Sequence, residues 1–389
     1  MGEHQLEGRH LVVSDVDISD TGMIQSTLVH DGGEEILWFK LPPGYIPHPD
    51  LVALSHVALF GAYYGSIDYR APVTQATQRG IKKYMRIDWT SPTFPTEMRD
   101  TGQKVSINFR GGLGSLAATA LLGYKARPVA TDFLPNNGAE RSLVDRFLAT
   151  TVETNAHTVQ KFWMYTSATS ILMKEFFDAS NIAQATTLES TPWNFSDSFW
   201  GQTNPALFQL AGMNTVYPLV GLTEFSVAYI VAKTFPELIK DTIAAISAPG
   251  TEKYMRKVLL LESVQKRFDL PLDVENFISP TMGRRIKLGN HFSADFVAAG
   301  FLAELGLERV SQWMDFPDGF LREFSNFDST FYWKEVSGMD YGLPAPFDFE
   351  ILRKKYEYGI NTYSSVDWRN FHRVIGRLRD WHSFPNSLK

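Results

Sequence analysis

The segment best suited to chemistry is a glycine-rich turn, Arg110 to Ser115 (RGGLGS), which stands between an apolar strand pattern and an apolar helix pattern. Glycines at positions 111, 112 and 114 let backbone N–H groups approach a phosphate without obstruction by side chains. A helix that begins directly after them adds unpaired N–H donors and the positive end of its dipole. Arg110 supplies a guanidinium fork suited to phosphate, and Ser115 supplies a hydroxyl. The turn is therefore a candidate phosphate-binding loop, with a ligand-free strand-to-helix turn as the alternative.

A second candidate residue, Asp132, closes the next strand pattern along the chain, residues 126–131. A strand, a glycine turn, a helix and a strand in this order form a β–loop–α–β unit, which is typical of α/β proteins. Ligands bind at the carboxyl ends of parallel strands. We therefore expect Asp132 to lie beside the loop, either in contact with a ribose or as a cap of the next turn.

Two phosphate-binding patterns fit this unit. Gly112-x-Gly114-x-x-Ala117 matches the dinucleotide fingerprint, with Asp132 near the position of the ribose-binding acid. The helix is short for that pattern, and the loop begins only at residue 110. The other pattern is the ATP-pyrophosphatase loop, S-G-G-x-D-S, which also follows a strand and opens a helix.

Residues 36–133 resemble the ATP-pyrophosphatase (PP-loop) superfamily, and within it the group that contains the UDP-N-acetylmuramoyl-alanyl-glutamate epimerase and related surface-polysaccharide proteins. The resemblance rests on the order and spacing of a β-rich N-terminal part, residues 68–74 (DYRAPVT), a helix that ends in residues 83–87 (KYMRI), and the strand with its glycine loop. It implies an α/β fold with a parallel-sheet nucleotide-binding (PP-loop/HUP-like) domain and ATP as the cofactor. The implied reaction is adenylation of a carboxylate or related group, with release of pyrophosphate.

The resemblance also implies roles for individual residues. Arg110 would stabilise the charge of the pyrophosphate, and Asp132 would lie near the ribose or the reacting carbonyl. The residues that would hold the nucleotide are the glycines and the serine of the loop: Gly111, Gly112, Gly114 and Ser115.

Two positions depart from the family loop. Arg110 stands where the family has its first serine, and Gly114 stands where it has the aspartate. Loss of the aspartate weakens the expectation of a Mg²⁺-assisted step, and it favours a second hypothesis, a non-catalytic structural or interaction protein that keeps the fold. A dinucleotide-dependent oxidoreductase is the third hypothesis.

The elements around the loop follow from hydrophobic periodicity. Strand patterns occupy residues 11–13, 23–30 and 35–41, and the turn Asp31-Gly32-Gly33 predicts a hairpin between the last two. Helical patterns are distributed along the rest of the chain: residues 49–64, 73–85, from 139 onward, 157–177, 222–247, 251–268, 291–306 and 366–379. We predict three parts: a β-rich region with two helices (1–98), a nucleotide-binding domain (99–235) and a mainly helical region (236–389).

The composition limits the function classes. The chain has 389 residues, a net charge of −6 and no cysteine, which excludes disulfides, cysteine nucleophiles and thiolate metal sites. Its nine histidines show no metal-binding spacing. The sequence contains no long basic run that would indicate a broad nucleic-acid surface. It also contains no run of about 18 apolar residues that would predict a membrane span. We expect a cytoplasmic protein that acts on a small molecule or nucleotide. The sequence allows a homo-oligomer but does not require one.

Overall fold

The structure is a computed structural model that describes residues 9–133, 138–159, 163–195, 204–274, 277, 284–336 and 347–384. Ten of the fourteen strands in these residues form one sheet, and the other four form two small parallel pairs. The strands are β1 His10–Ile18, β2 Met23–His30, β3 Gly33–Lys40, β4 Ser66–Tyr69, β5 Val73–Thr74, β6 Asp88–Thr90, β7 Thr93–Phe94, β8 Lys104–Asn108, β9 Ala126–Phe133, β10 Thr150–Thr154, β11 Ala179–Ala183, β12 Asn214–Val216, β13 Ile286–Lys287 and β14 Met314–Asp315.

Helices cover the large sheet and make up most of the second half of the chain. They are α1 Pro49–Phe60, α2 Gln75–Gly80, α3 Leu113–Leu122, α4 Gly138–Arg146, α5 Ala168–Leu172, α6 Ala206–Leu210, α7 Glu224–Thr234, α8 Ile239–Ile246, α9 Glu252–Phe268, α10 Phe292–Leu305, α11 Leu307–Val310, α12 Asp318–Phe324, α13 Phe347–Glu357 and α14 Ser365–Leu378. Within the described ranges, no helix is both long enough and apolar enough to cross a membrane.

The strand order of the large sheet is β12-β11-β8-β9-β10-β3-β2-β1-β4-β6. Strands β12, β11, β8, β9 and β10 are all parallel to their neighbours. The next three pairings, β10 with β3, β3 with β2 and β2 with β1, are antiparallel. Strand β4 then pairs in parallel with β1, and β6 pairs in parallel with β4. The predicted α/β class with a mainly parallel sheet is therefore confirmed. The sheet continues across the predicted boundary at residue 98, and the three-part division remains a prediction.

The β–loop–α–β unit forms as the sequence predicts. β8 and β9 are adjacent and parallel, with Val105 opposite Ala126, and α3 connects them. The apolar side chains Leu116, Ala117 and Leu121 of α3 are buried, and the helix packs between the sheet and α7. Burial of this apolar face fixes the direction in which the glycine loop enters α3.

The predicted hairpin is also confirmed, since His30 pairs with Gly33 and leaves a two-residue turn at Asp31 and Gly32. Two long helix predictions were wrong. Residues 157–177 form short 3₁₀ turns and α5; residues 160–162 lie outside the described ranges. Residues 222–247 divide into α7 and α8 at Pro236, which has no N–H to continue the helix.

Candidate functional site

The glycine loop lies at the carboxyl edge of the parallel half of the sheet, at a point where the chain changes direction. From β8 the chain proceeds to β9 and β10 on one side, and it later returns to β11 and β12 on the other side. The loops that follow β8 and β11 therefore lead to opposite sides of the sheet. In open parallel sheets, ligands bind in the crevice that such a divergence creates.

The shape of the loop requires glycine at two positions. Gly111 has a φ of 68°, and a Cβ at this position would lie 2.6 Å from Leu143 Cδ1. Gly112 is extended, with φ −75° and ψ 156°, and it precedes α3 without a side-chain cap. Because no capping side chain occupies the first N–H groups of α3, those donors are available to an anion.

Ser115 and Gly114 hold the loop against its surroundings. Ser115 Oγ donates to the carbonyl of Gly112 at 2.9 Å, so its proton stabilises the turn and only its oxygen lone pairs remain for a ligand. Gly114 lies in the first turn of α3, where a Cβ would lie 3.3 Å from Ala185 Cβ, on the loop after β11. Glycine at position 114 therefore allows the two loops of the crevice to approach closely.

Glu140 on α4 connects the two residues predicted to be catalytic. Arg110 Nε lies 3.3 Å from Glu140 Oε1, and 53 % of the Arg110 side chain is exposed. Asp132 is buried in β9, beside Glu153 of β10. Together with Glu140, these two acids line a cavity of about 80 Å³. The structure thus brings Arg110 and Asp132 to one region of the carboxyl edge.

Helix α9 adds three cations that the sequence reasoning missed: Lys253, Arg256 and Lys257. Partial burial lowers the pKa of Lys253, and the positive charges of Lys257, Arg110 and Arg256 lower it further. Lys253 is exposed to solvent and makes no ion pair within the described ranges. The glycine loop and α9 therefore share one positively charged region, to which α9 contributes a cation without a carboxylate partner.

Two glutamates lie beneath these cations. Both oxygens of Glu224, the first residue of α7, are paired: Oε1 lies 2.7 Å from Lys257 Nζ and Oε2 lies 2.8 Å from Arg256. Burial would raise the pKa of Glu224, but the two cations outweigh it and hold the pKa below its usual range. Glu189, on the loop after β11, accepts the backbone N–H of Glu224 at 2.7 Å and thereby caps α7. Burial and the nearby Glu224 raise the pKa of Glu189.

The sequence carried a partial signal for these residues. Lys253, Arg256 and Lys257 have the i, i+3, i+4 spacing of a single helix face, but such a face is ordinarily solvated, and nothing local relates it to the glycine loop. Glu224 is visible as an acid at the start of a helix, which is a common position. Glu189 stands in an irregular segment, and no pattern distinguishes it.

The assembled region is chemically suited to an anion with several negative charges. It combines uncapped N–H donors at the start of α3 and a crevice at the end of the strands with four basic side chains. Arg110, Arg256 and Lys257 are already paired with Glu140, Glu252 and Glu224, which leaves Lys253 as the basic side chain available to an anion. Among the described residues, no group of three or more histidines and acids has the arrangement of a metal site. No protein-family model, curated protein or solved structure matches this chain. Its function is therefore inferred from this geometry.

Proposed function

We propose that this chain binds ATP at the carboxyl edge of its parallel sheet and adenylates a carboxylate or related group of a small-molecule or sugar-linked substrate, with release of pyrophosphate. The observation that carries the proposal is that Arg110 acts electrostatically on Lys253 of α9, beside the uncapped start of α3. The strand order supports the finer PP-loop/HUP-like class, because the loop coincides with the change of chain direction in the sheet.

Electrostatics favour a polyphosphate over a neutral ligand. Glu140 already pairs with Arg110. Glu224 pairs with both Arg256 and Lys257 of α9. Lys253 has no such partner in the described part of the chain, and its pKa is lowered first by partial burial and then by the surrounding positive charge. An anion beside Lys253 would relieve this repulsion. The terminal phosphates of ATP supply the required charge, and backbone N–H groups at a helix start bind phosphate well.

The proposed step is a displacement at the α-phosphorus of ATP. An oxygen of the substrate carboxylate attacks that phosphorus, and the bond from it to the oxygen that bridges to the β-phosphorus breaks. This oxygen leaves with the bonding electron pair as part of pyrophosphate, and the substrate becomes an acyl adenylate. Negative charge grows on the departing pyrophosphate, where Arg110 and Lys253 stabilise it.

The loop does not fit a Mg²⁺ site of the kind that the family resemblance implies. Gly114 has no carboxylate, and the position faces Ala185 at close distance. Mg²⁺ in such sites requires oxygen ligands, usually one or two carboxylates together with phosphates and water. The charge compensation of the leaving group is therefore assigned to the basic side chains.

The carboxylates beside the small cavity at Asp132 supply a ribose contact, whereas the cavity itself, at about 80 Å³, is too small to enclose a nucleoside. Asp132, Glu140 and Glu153 line it at the ends of β9 and β10. Carboxylates accept hydrogen bonds from ribose hydroxyls, and an acid at the end of the strand next to a glycine loop has this role in nucleotide-binding sheets. Arg110 would then lie between the ribose and the phosphates, because it already pairs with Glu140.

The test is ligand-induced stabilisation followed by product analysis. Melting temperatures are measured with ATP, pyrophosphate, AMP, NAD and NADP, with and without Mg²⁺, for the native chain and for Arg110→Ala. Arg79→Ala, an exposed arginine on α2, is the matched control. We expect ATP and pyrophosphate to stabilise the native chain and the control, and the Arg110→Ala variant to bind roughly ten- to a hundredfold more weakly, because one charge-assisted hydrogen bond is lost.

The outcomes separate the three hypotheses. Release of pyrophosphate from ATP with a carboxylate acceptor supports an adenylating enzyme. Stabilisation by ATP or pyrophosphate without turnover against a panel of acceptors supports a non-catalytic protein that keeps the site. Stabilisation by NAD or NADP, with no response to pyrophosphate, would replace the proposal by the dinucleotide alternative, and no response to any ligand would refute nucleotide binding at this loop.

A further inference from the structure

A second cavity, of about 290 Å³, lies at the end of the β1–β2–β3 meander. Its walls come from the start of β1, the turn between β2 and β3, the end of α1 with the residues that follow it, and the 3₁₀ turn Ala156–Thr158 with its neighbour Val159. Leu11, Leu28 and Val159 supply apolar surface. Its volume is at the lower end of the range for small-molecule sites, roughly 300–1,000 Å³.

Three aromatic rings form one side of this cavity. The ring planes of Phe60 and Tyr64 meet at 85° with centroids 6.1 Å apart, and those of Tyr63 and Tyr64 meet at 82° with centroids 5.1 Å apart. Rings at right angles present both faces and edges to a common space. The face of an aromatic ring carries partial negative charge and attracts cations.

One of these faces already holds a cation of the chain. The guanidinium carbon of Arg9 lies 4.1 Å from the centroid of Tyr63, well within cation–π distance. The backbone of Arg9 is fixed, because its carbonyl accepts the N–H groups of Gly65 and Ser66. The Arg9 side chain itself is exposed, so it covers the ring without closing the cavity.

The charged groups at the cavity give it a negative potential. The Gly32 N–H donates to His30 Nδ1 at 3.0 Å, so the imidazole proton is on Nε2, which donates to Glu35 Oε1 at 3.1 Å. The carboxylates of Asp31 and Glu35, which both line the cavity, outnumber the guanidinium of Arg9. Burial and the adjacent Tyr63 raise the pKa of Tyr64, Glu35 and Asp31 raise it further, and Arg9 opposes them.

We propose that this cavity binds a small organic cation, a ligand with a quaternary ammonium or guanidinium group whose charge lies over Tyr63 and near Asp31 and Glu35. Aromatic faces combined with carboxylates recognise such cations, because the rings replace the lost hydration and the acids supply the charge. The ligand displaces Arg9 from the ring that both require. This site is independent of the glycine loop and of the function proposed for it.

The test uses choline and n-butylguanidinium as probes and 3,3-dimethylbutanol, a neutral compound shaped like choline, as the matched ligand control. Binding to the full chain is measured by titration calorimetry at low and high salt. We expect choline to bind at least about tenfold more tightly than the neutral compound, because only choline gains the cation–π attraction. We expect Tyr63→Phe, which keeps the ring, to retain choline binding, and Tyr63→Leu to bind choline about tenfold or more weakly. Melting temperatures show whether the Tyr63→Leu variant is folded.

Arg9→Gln decides between a cation site and an anion site. In a cation site this change removes the competitor on the Tyr63 face, and choline binds several-fold more tightly. If the cavity takes an anion through Arg9, the change removes the binding group instead, and affinity for choline does not rise. An unchanged or weaker affinity of Arg9→Gln for choline, equal binding of choline and the neutral compound, or no saturable binding of either cation at millimolar concentration would overturn the proposal.

Discussion

Replacement of Lys253 by methionine should change stability and ligand binding in opposite directions. Of the three α9 cations near the glycine loop, Lys253 is the one without a carboxylate partner in the described residues, and partial burial together with three positive side chains lowers its pKa. Methionine keeps the length of the side chain and the helix propensity, and it removes only the charge. If Lys253 served the structure, its replacement would destabilise the chain. If it serves an anion site, its replacement should weaken anion binding and stabilise the ligand-free chain.

The size of each effect follows from the position of Lys253 on α9. It stands four residues before Lys257 and three before Arg256. Each like-charge pair at such spacing costs about 0.2–0.5 kcal/mol in an exposed helix. Removal of both repulsions should raise the free energy of unfolding of the ligand-free chain by less than about 1 kcal/mol, or about 1–3 °C in melting temperature. Loss of a charge-assisted hydrogen bond to phosphate costs about 1.5–3 kcal/mol, so pyrophosphate should bind roughly ten- to a hundredfold more weakly.

The assay pairs melting curves without ligand with calorimetric titration of pyrophosphate at two salt concentrations. Lys240→Met, an exposed lysine on α8, is the control and should change neither quantity. The affinity of the native chain should fall as salt rises, because the cations are partly screened, and the variant should show a smaller fall. A variant that binds pyrophosphate as tightly as the native chain, or one that is less stable without ligand, would refute the assignment of Lys253 to an anion site.

Three further predictions test the loop and the core. Gly111→Ala should lower the free energy of unfolding by about 1–3 kcal/mol in urea titrations, because its φ is 68° and the new methyl group would contact Leu143; an unchanged value would show that the loop adapts. Gly114→Asp should lower the melting temperature, since the new Cβ would lie 3.3 Å from Ala185 Cβ and the loop after β11 must move aside by a few tenths of an ångström. If the loop accommodates the carboxylate, ATP binding should become dependent on Mg²⁺, and the same titration with and without Mg²⁺ tests this. Burial lowers the pKa of His56 from 6.5 to about 3. The unfolded chain therefore binds the extra proton between these pH values, and stability falls as pH decreases through that window. His56→Leu should reduce the slope by up to about 1.4 kcal/mol per pH unit, and an identical slope would contradict the burial argument.

Local sequence patterns were sufficient for the unit that carries the loop. Strand β8, helix α3 and strand β9 are short apolar segments separated by residues 109–112 and 123–125. The left-handed φ at Gly111 explains why the chain turns between β8 and α3. The β2–β3 hairpin was predictable for the same reason, because Asp31-Gly32 fits a two-residue turn. Each of these features lies within one short stretch of the chain, residues 104–133 for the loop unit and 23–40 for the hairpin, so more distant contacts had little opportunity to alter them.

Long-range features were beyond this reasoning. Lys253 is significant for the loop only because Arg110, which lies far back in the chain, acts on it electrostatically. The position of Lys253 depends on how α9 packs against α7. Glu189 is unremarkable in the sequence, yet it caps α7 because the hydroxyl of the usual capping residue, Thr223, donates to the carbonyl of Tyr332. A helical apolar pattern also did not reveal that the segment after residue 157 would break into short turns.

Arg110 and Gly114, the two positions that differ from the ATP-pyrophosphatase loop pattern, can be explained together if ATP binds at this loop as proposed. An aspartate at position 114 would recruit a divalent cation to the phosphates, and that cation would offset their charge. Glycine at this position instead lets the loop after β11 approach through Ala185, and the side chain of Arg110 brings a fixed positive charge to the start of α3. Lys253 and its neighbours on α9 enlarge that charge. When side chains neutralise the phosphates, binding does not depend on a metal ion that can dissociate. Lysine then acts as a point charge and arginine as a planar fork, and neither imposes the octahedral geometry of Mg²⁺. The consequence is testable in the native chain: its affinity for ATP should change little when Mg²⁺ is chelated, whereas a loop that retained the aspartate would lose much of its affinity.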